Sequence, residues 1–394
     1  MMRLMARISR ADKGAQQTPV RTSTRSNALT AFSLFTGAGG LDIGVEQAGF
    51  DVVFAVEHDA RAVETLNLNR TRYFRKAPAF EPLDITALKP RSVMKRIGVR
   101  RGEIDLLVGG PPCVAFSKSG FHLDYKREGR DPKASLLTDY FRFLDALRPR
   151  AFLMENVFGL AYKNQSSQFF GDLQKNIASL GYSLSYEILN AADYGVPQNR
   201  QRLFLVGRRD GTHVDLPLPT HWGDHERRVR TVESENLKPH VTAGDVLDGL
   251  HTEPEASEVV NGQYGHLLSG IPPGKNYLHY TEHEGHPEPL FKWRSRFWTF
   301  LLKLDPNRPA STIQGQPGPY VGPFHWDNRR LRGPEIKRLQ SFPDDYAFAG
   351  SRRDMQLQVG NSVPPELARI VADAMKRQLN GDAIPSRTGQ LRLV

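Results

Sequence analysis

Cysteine is almost absent from this chain, which holds one, Cys113, among 394 residues. A single thiol cannot form an intramolecular disulfide, and such sparse use is typical of compartments where thiols stay reduced. The sequence also lacks an apolar run of about 18 residues, so it predicts no transmembrane helix. No apolar segment near the N-terminus has the form of a signal peptide. These absences predict a cytoplasmic protein that has no membrane partner.

Acidic residues are outnumbered by basic ones, with 43 Asp and Glu against 53 Lys and Arg and a net charge of +10. This excess suits a nucleic-acid partner, because phosphate contacts release counterions. An ordinary basic surface is the alternative. Residues 1–28 carry six basic residues and one acid among Ser, Thr and Gln. That composition predicts a flexible basic tail, although it also resembles an organelle transit peptide.

Strand and helix patterns alternate over the first half of the chain. "AFSLF", "TGAGG", "LDIGVEQAGF" and "DVVFAVE" follow one another as strand, glycine-rich turn, helix and strand. Further apolar strands are predicted at Ile104–Gly110, Ala151–Val157 and Arg202–Arg209, with helical segments between them. This alternation predicts an α/β fold, a mostly parallel sheet with helices on both faces.

The alternation stops after Arg209. Residues 213–304 are rich in His, Pro and Gly, and helical patterns return beyond them. His279, His283 and His286 have spacing that could hold zinc, but no cysteine or evident fourth ligand accompanies them, so no metal is predicted. "KWRSRFW" (Lys292–Trp298) interleaves cations with aromatic rings, which suits nucleic acid or, equally, an apolar strand with a basic face.

The glycine-rich turn predicts a nucleotide-like ligand. Gly37, Gly39 and Gly40 would let backbone N–H groups approach a ligand at a helix N-terminus, and Glu57 ends the next strand, where an acid can bind ribose hydroxyls. A plain tight turn is the alternative. No GxxxxGK[ST] motif is present, which argues against an ATPase phosphate loop. Asp84 could bind an adenine amino group or be a simple turn residue.

Three polar groups follow the ends of other predicted strands. Cys113 comes after "DLLVGGPP", where ligand crevices form in open α/β sheets, so it is a candidate nucleophile or a buried structural thiol. Glu155 could protonate a substrate ring nitrogen, or form a turn pair with Asn156. Arg200 and Arg202 are two positions apart and face one side of a strand, which suits a phosphate or carbonyl oxygen, or a solvated charge run.

Six motifs together resemble those of the cytosine-C5 DNA methyltransferases, in that family's order. They are "FSLFTGAGGLDIGVEQAGF", "GGPPCVAFSKSG", "ENV", "GVPQNRQRLFLVG", "RPASTI" with "RRLRGPEIKRLQSFPD", and "VGNSVPP". The resemblance implies a Rossmann-like S-adenosylmethionine-dependent methyltransferase sheet with helices on both faces, plus a smaller irregular target recognition domain. It also implies DNA (cytosine-5-)-methyltransferase activity, in a restriction–modification or related DNA-marking system.

The resemblance further implies the role of individual residues. Cys113 would add to cytosine C6, Glu155 would hold N3 and the exocyclic amine, and Arg202 would contact O2. Arg200 would lie near the nucleophile and a phosphate. The S-adenosyl-L-methionine pocket is matched by Phe35, Gly37, Ala38, Gly40, Glu57, His58, Asp84, Ile85, Leu136, Asn361 and Val363.

Domains and partners follow from the same resemblance. The expected parts are a flexible tail (1–28), a catalytic and cofactor-binding domain (29–212), a target recognition domain (213–304), a segment completing the catalytic domain (305–380) and a second tail (381–394). The expected partners are double-stranded DNA, from which the target base is flipped, and a paired restriction endonuclease. A monomer associated with the nucleoid is expected, and the segment after Cys113 is predicted to close over the flipped base.

Departures from the family pattern and rival functions are few. Val114 stands where the family often has Gln, and "RGPE" where Thr-Pro-Arg-Glu is common. A tRNA cytosine methyltransferase on the same fold would carry a Cys-Phe-Thr signature in the insert, and this chain has no second cysteine. A non-enzymatic DNA-binding homologue could dispense with Cys113, Glu155 or the glycine turn, and all three are present.

Overall fold

The computed structural model describes residues 28–112, 135–158, 167–223 and 237–385. Cys113, the predicted closing segment after it and most of both predicted tails lie outside these ranges. Within them, no helix is long and apolar enough to span a bilayer.

A six-stranded sheet forms the centre of the molecule, in the order β2-β1-β3-β4-β7-β5. Strands β1, β2, β3 and β4 pair in parallel, whereas β7 runs antiparallel to both β4 and β5. The predicted mostly parallel sheet is therefore confirmed, with β7 as the reversed strand. The strands are β1 (Leu29–Leu34), β2 (Phe50–Val56), β3 (Leu106–Gly109), β4 (Ala151–Val157), β5 (Ser185–Asn190) and β7 (Gln201–Arg208).

Helices cover both faces of this sheet, as the sequence predicts. The helices of the α/β part are α1 (Gly40–Gln47), α2 (Ala60–Tyr73), α3 (Pro90–Ile97), α4 (Ser135–Leu147), α5 (Ser167–Ser179), α7 (Gly333–Leu339), α8 (Arg352–Asn361) and α9 (Pro365–Leu379). One apolar core joins the sheet to α1, α2 and α9, and a second joins it to α3, α4 and α5. Strands β3 and β4 are buried almost throughout because both of their faces are covered.

The last helix of the chain packs against the first. Along this contact, a Cβ added to Gly44 of α1 would lie 2.5 Å from the Cβ of Ala368 on α9. Only glycine permits the two helices to come this close. The C-terminal part is thus built into the same domain as the first strand–helix–strand unit.

The insert is irregular, as predicted, and has a core of its own. It contains short strands β8 (His221–Trp222) and β9 (Lys238–Pro239), the short helix α6 (Ala243–Leu247) and several turns of 3₁₀ helix. Its apolar core is built on Tyr277, Tyr280, Phe300 and Leu301, and extends to Phe324. Helix α6 instead packs with α7 and with Ile43 of α1, so the insert is joined to the main domain over a broad apolar contact.

A small ladder closes the base of the insert. Strand β6 (Gln198–Asn199) lies just before β7 and pairs in parallel with β10 (Ala310–Ser311), which follows the insert. The side chain of Gln198 strengthens this closure. It donates to the carbonyl of Leu339 at 3.0 Å and to Gln340 Oε1 at 2.6 Å, and it accepts the N–H of Ile313 at 3.0 Å.

Candidate active site

Glu155 and Arg202 meet at one edge of the sheet, where β4 ends and the antiparallel β7 begins. Arg202 Nε lies 2.9 Å from Glu155 Oε1, and the two side chains are only 15% and 12% exposed. Burial raises the pKa of the Glu155 carboxyl, and the charges of Arg202 and Arg200 oppose that rise. Burial thus favours the protonated form of this carboxyl, and the two arginines favour its charged form.

The peptide that leads to Cys113 is fastened to this pair. Asn156 Nδ2 donates a hydrogen bond to the carbonyl of Pro111 at 3.1 Å. A Cβ on Gly110 would lie 3.1 Å from Glu155 Oε2, so the backbone passes directly over the carboxylate. The peptide at Gly110 and Pro111 therefore lies beside Glu155. The sequence predicts Asn156 only as a possible turn residue. Its position next to Glu155 in the motif is the signal that could have identified its role.

Arg200 is buried rather than solvated. It is 1% exposed, and its guanidinium donates to the carbonyls of Ile313 (3.2 Å), Gly360 (2.6 Å) and Ser362 (3.0 Å). Burial, with the charge of Arg202, lowers the pKa of Arg200 well below its usual range. The alternative of a solvated charge run is wrong for both arginines. The described contacts of Arg200 join backbone segments and include no feature that favours a phosphate.

The glycine-rich turn and Glu57 form one unit. Glu57 Oε2 accepts the N–H of Gly37 at 2.7 Å, and Oε1 accepts those of His58 (2.9 Å) and Asp59 (2.8 Å). Phe35 and Gly37 both have positive φ, 56° and 55°, which turns the backbone sharply after β1. A Cβ on Gly37 would meet no atom within 4 Å, so open space borders the turn beside Glu57.

The segment Asn361–Val363 lies against the start of α1. A Cβ on Gly40 would be 2.3 Å from the carbonyl oxygen of Val363, so a side chain there is excluded. Ala38 is buried, and its carbonyl accepts a hydrogen bond from the Tyr346 hydroxyl at 2.8 Å. Asn361 is exposed beside this contact. The predicted first and last cofactor segments are therefore neighbours in space.

Among the other predicted cofactor residues, Asp84 and Ile85 lie at a turn before α3, and Leu136 lies in the first turn of α4. Ile85 belongs to the apolar core that also includes the partly buried Phe35 and Leu136. Asp84 is exposed, and its Oδ1 accepts the N–H and hydroxyl of Thr86 at 2.9 and 2.8 Å. These hydrogen bonds lower the pKa of Asp84, and the nearby His58 lowers it further. Phe35, Ile85 and Leu136 thus belong to one apolar core, and Asp84 is exposed.

Asp42, in the first turn of α1, is a buried acid that sequence reasoning missed. It is fully buried, and neither oxygen has a hydrogen-bond partner within the described part of the chain. Burial raises its pKa to about 7, and the nearby acids Glu46 and Glu57 add to the rise. Helical spacing placed Asp42 beside apolar residues, but an acid in a first helical turn is ordinarily solvent-facing.

Comparison with known proteins identifies the family. The sequence profile of the C-5 cytosine-specific DNA methylases matches residues 29–377. The chain belongs to the C-5 cytosine-specific DNA methylase family. It is therefore a DNA cytosine-5 methyltransferase, and the enzyme class predicted from the motifs is confirmed.

Relatives of this methylase match along nearly the whole chain. It is 42% identical to the Type II methyltransferase M.SacI of Streptomyces achromogenes, covering 93% of this chain and 99% of that one. It is 31% identical to the Type II methyltransferase M1.HphI of Haemophilus parahaemolyticus, covering 88% and 86%. The solved structure of the S. pombe Dnmt2 methyltransferase superposes with a TM-score of 0.59 at 17% identity, covering 89% and 99%. That last likeness confirms the Rossmann-like fold of the methylase.

Proposed function

We propose that this methylase transfers a methyl group to C5 of a cytosine flipped out of duplex DNA, with Cys113 as nucleophile and Glu155 as acid. The observation that carries the proposal is the buried Glu155–Arg202 pair, to which Asn156 fastens the peptide entering Cys113. This arrangement would present a carboxyl and a guanidinium to the edge of the pyrimidine that carries N3 and O2, with the thiol at C6.

The chemistry explains why these groups are needed together. Cytosine C5 is a poor nucleophile until the Cys113 thiolate adds to C6 and Glu155 protonates N3. The ring is then enamine-like, and C5 would take the methyl group as the bond between that group and the cofactor sulfur breaks. Loss of the C5 proton, departure of the thiolate and return of the N3 proton to Glu155 would restore the aromatic ring. The base must leave the stack for these steps, at a cost of a few kcal/mol.

Arg202 and Glu155 would divide the base between them. Arg202 would donate to O2 while the carboxyl holds N3 and the exocyclic amine. Burial raises the pKa of Glu155, which favours the protonated form that a general acid needs, and the charge of Arg202 opposes that rise. Arg200 would not contact the base. It would position the site by holding the backbone carbonyls of Gly360 and Ser362.

The cofactor would be S-adenosyl-L-methionine, whose sulfonium supplies the methyl group. The residues present fit it, because a carboxylate, open space and a glycine turn lie together at the end of β2. Glu57 would bind the ribose hydroxyls and Asp84 the adenine amine. Phe35, Ile85 and Leu136 would give the apolar surface, with Gly37, Ala38, Gly40, His58, Asn361 and Val363 at its border.

The biological setting would be restriction–modification or a related DNA-marking system. The names of the Type II methyltransferases that resemble this chain support that proposal. A cognate endonuclease would then cut the same site when it is unmethylated. The insert, near residues 213–304, would recognise the target sequence, and the enzyme would act as a monomer on the nucleoid.

Bisulfite sequencing of a plasmid from expressing cells tests the function. The parent chain should protect cytosines in one sequence context, whereas Cys113→Ser and Glu155→Gln should protect none. The exposed-surface variant Leu68→Ala is the matched control and should methylate as the parent does. Unprotected DNA with methylated tRNA would contradict the proposal, as would substantial methyl transfer by the serine variant.

A further inference from the structure

Exposed aromatic side chains are concentrated at one place in the insert. Phe297 is 79% exposed, Trp298 64% and Trp293 49%. We call these three residues the aromatic patch. The other large apolar side chains that are exposed in the described ranges are Leu68, Val259 and Leu290. Clustered exposed rings are costly in water and mark surfaces that bind a partner.

The backbone beneath the aromatic patch is held in place. Asn276 is 3% exposed and donates to the carbonyl of Trp298 at 2.7 Å. The Tyr277 hydroxyl donates to the carbonyl of Arg296 at 2.9 Å, and Tyr277 packs edge-to-face on Phe300 at 5.9 Å. The patch therefore stands on the fixed core of the insert, and a partner would pay little to order it.

Cations are interleaved with these rings. The Arg294 guanidinium lies 4.2 Å from the centroid of the Trp293 ring, and Arg296 stacks over Phe300 at 5.8 Å. Lys292 precedes them. Among the described residues, none of the three cations forms an ion pair with a carboxylate, while the nearby Glu284 pairs with Lys275 at 3.5 Å. The surface thus offers apolar rings interleaved with cations that have no carboxylate partner among the described residues.

We propose that the aromatic patch binds duplex DNA at an unstacked base step, with Phe297 and Trp298 against the bases and Lys292 and Arg294 against the phosphates. This inference rests on the proposed function, which makes duplex DNA the substrate. Unpaired cations favour a polyanion over an apolar protein surface, where their desolvation would be uncompensated. Rings next to cations also match proteins that insert apolar side chains between base pairs.

Binding of a duplex that carries the mapped target site tests the inference. Phe297→Ala and Trp298→Ala should each weaken binding about 5- to 100-fold in fluorescence anisotropy, since each removes a stacking contact. Trp298→Phe should recover most of the loss. The control Leu68→Ala is 57% exposed and lies on α2, away from the insert, and should bind within twofold of the parent.

The dependence of DNA affinity on salt concentration distinguishes the contribution of the aromatic rings from that of the cations. Lys292→Gln and Arg294→Gln should each reduce the slope of log affinity against log salt by about 1, because one phosphate contact is lost. Phe297→Ala should leave that slope unchanged. All variants should keep the melting temperature of the parent and its affinity for S-adenosylmethionine, since the altered side chains are exposed and outside the proposed cofactor pocket.

Failure of the inference is distinct from failure of the proposed function. If the parent methylates DNA and the two alanine variants bind the duplex like Leu68→Ala, the inference is overturned. It is also overturned if sedimentation shows that the patch joins two copies of the chain and DNA affinity is unchanged by its removal. If the parent methylates no DNA, the proposed function fails, whatever the patch binds.

Discussion

Glu155 and Arg202 form a buried ion pair in which Arg202 Nε lies 2.9 Å from Glu155 Oε1. The pair spans two antiparallel strands, with Arg202 placed opposite Val157 in the register. Each charge is compensated chiefly by the other, so neither partner can be removed without exposing the other to an apolar environment.

Removing Arg202 should therefore destabilise the fold in a pH-dependent way. Arg202→Ala should lower the free energy of unfolding by about 3–5 kcal/mol at pH 8, because a buried carboxylate loses its partner. The loss of Arg202 raises the pKa of Glu155 further, so the carboxyl becomes neutral as the pH falls. The difference in unfolding free energy between the variant and the parent should therefore shrink toward pH 5. Urea unfolding at both pH values measures the change. Glu155→Gln combined with Arg202→Ala should recover part of the loss, and a deficit independent of pH would contradict this account.

Asp42 should make stability depend on pH in a second way. Its folded pKa of about 7 exceeds the ordinary value of 3.8, so charging it costs stability as the pH rises from about 4 through 7. Asp42→Asn cannot ionise, so its free energy of unfolding relative to the parent should increase by roughly 2–4 kcal/mol over that range. Chemical unfolding at a series of pH values tests this. The exposed control Leu68→Ala changes no ionisable group and should run parallel to the parent. Parallel profiles for Asp42→Asn and the parent would refute the assignment.

Gly40 should not tolerate even a methyl group. Gly40→Ala would place a Cβ 2.3 Å from the Val363 carbonyl, so the segment after α8 must move, at a cost of about 1–3 kcal/mol. Thermal unfolding and S-adenosylmethionine affinity should both decline. Gly171→Ala on α5 meets no atom within 4 Å and should be neutral or stabilising. Equal behaviour of the two variants would show that the close contact at Gly40 is unimportant.

Glu57 should couple cofactor affinity to the shape of the glycine turn. Glu57→Ala removes an acceptor of three backbone N–H groups and of the proposed ribose hydrogen bonds. S-adenosylmethionine should bind about 1–3 kcal/mol more weakly, as judged by calorimetry on the folded variant. Glu57→Gln keeps one acceptor oxygen, so its affinity for S-adenosylmethionine should lie between those of the parent and of Glu57→Ala. Unchanged affinity would place the cofactor elsewhere.

The local sequence pattern predicts where strands and helices lie better than it predicts which of them pair or pack together. The unit from β1 to Glu57 followed from spacing alone, because alternating apolar segments and glycines specify it within 30 residues. The reversal of β7 did not, since antiparallel pairing with β4 depends on the connection through β5 and β6. Likewise, the burial of Arg200 depends on carbonyls more than 100 positions away, at Ile313 and Gly360. Arg200, between β6 and β7, and Arg202, in β7, therefore have different surroundings although only two positions separate them.

The contact between the first and last parts of the domain has a consequence for when the enzyme can work. The Ala38 carbonyl can accept its hydrogen bond from Tyr346 only after the ribosome has reached a position 308 residues later. Gly44 can pack on Ala368 only later still. A ribosome that adds about 5–20 residues per second needs roughly 15–60 s to cover that distance. During this interval the nascent turn has no neighbours from the C-terminal segment, so its backbone cannot settle into the form described above. Newly made molecules would consequently acquire their methylating ability all at once, after Ala368 has been made, instead of by stages.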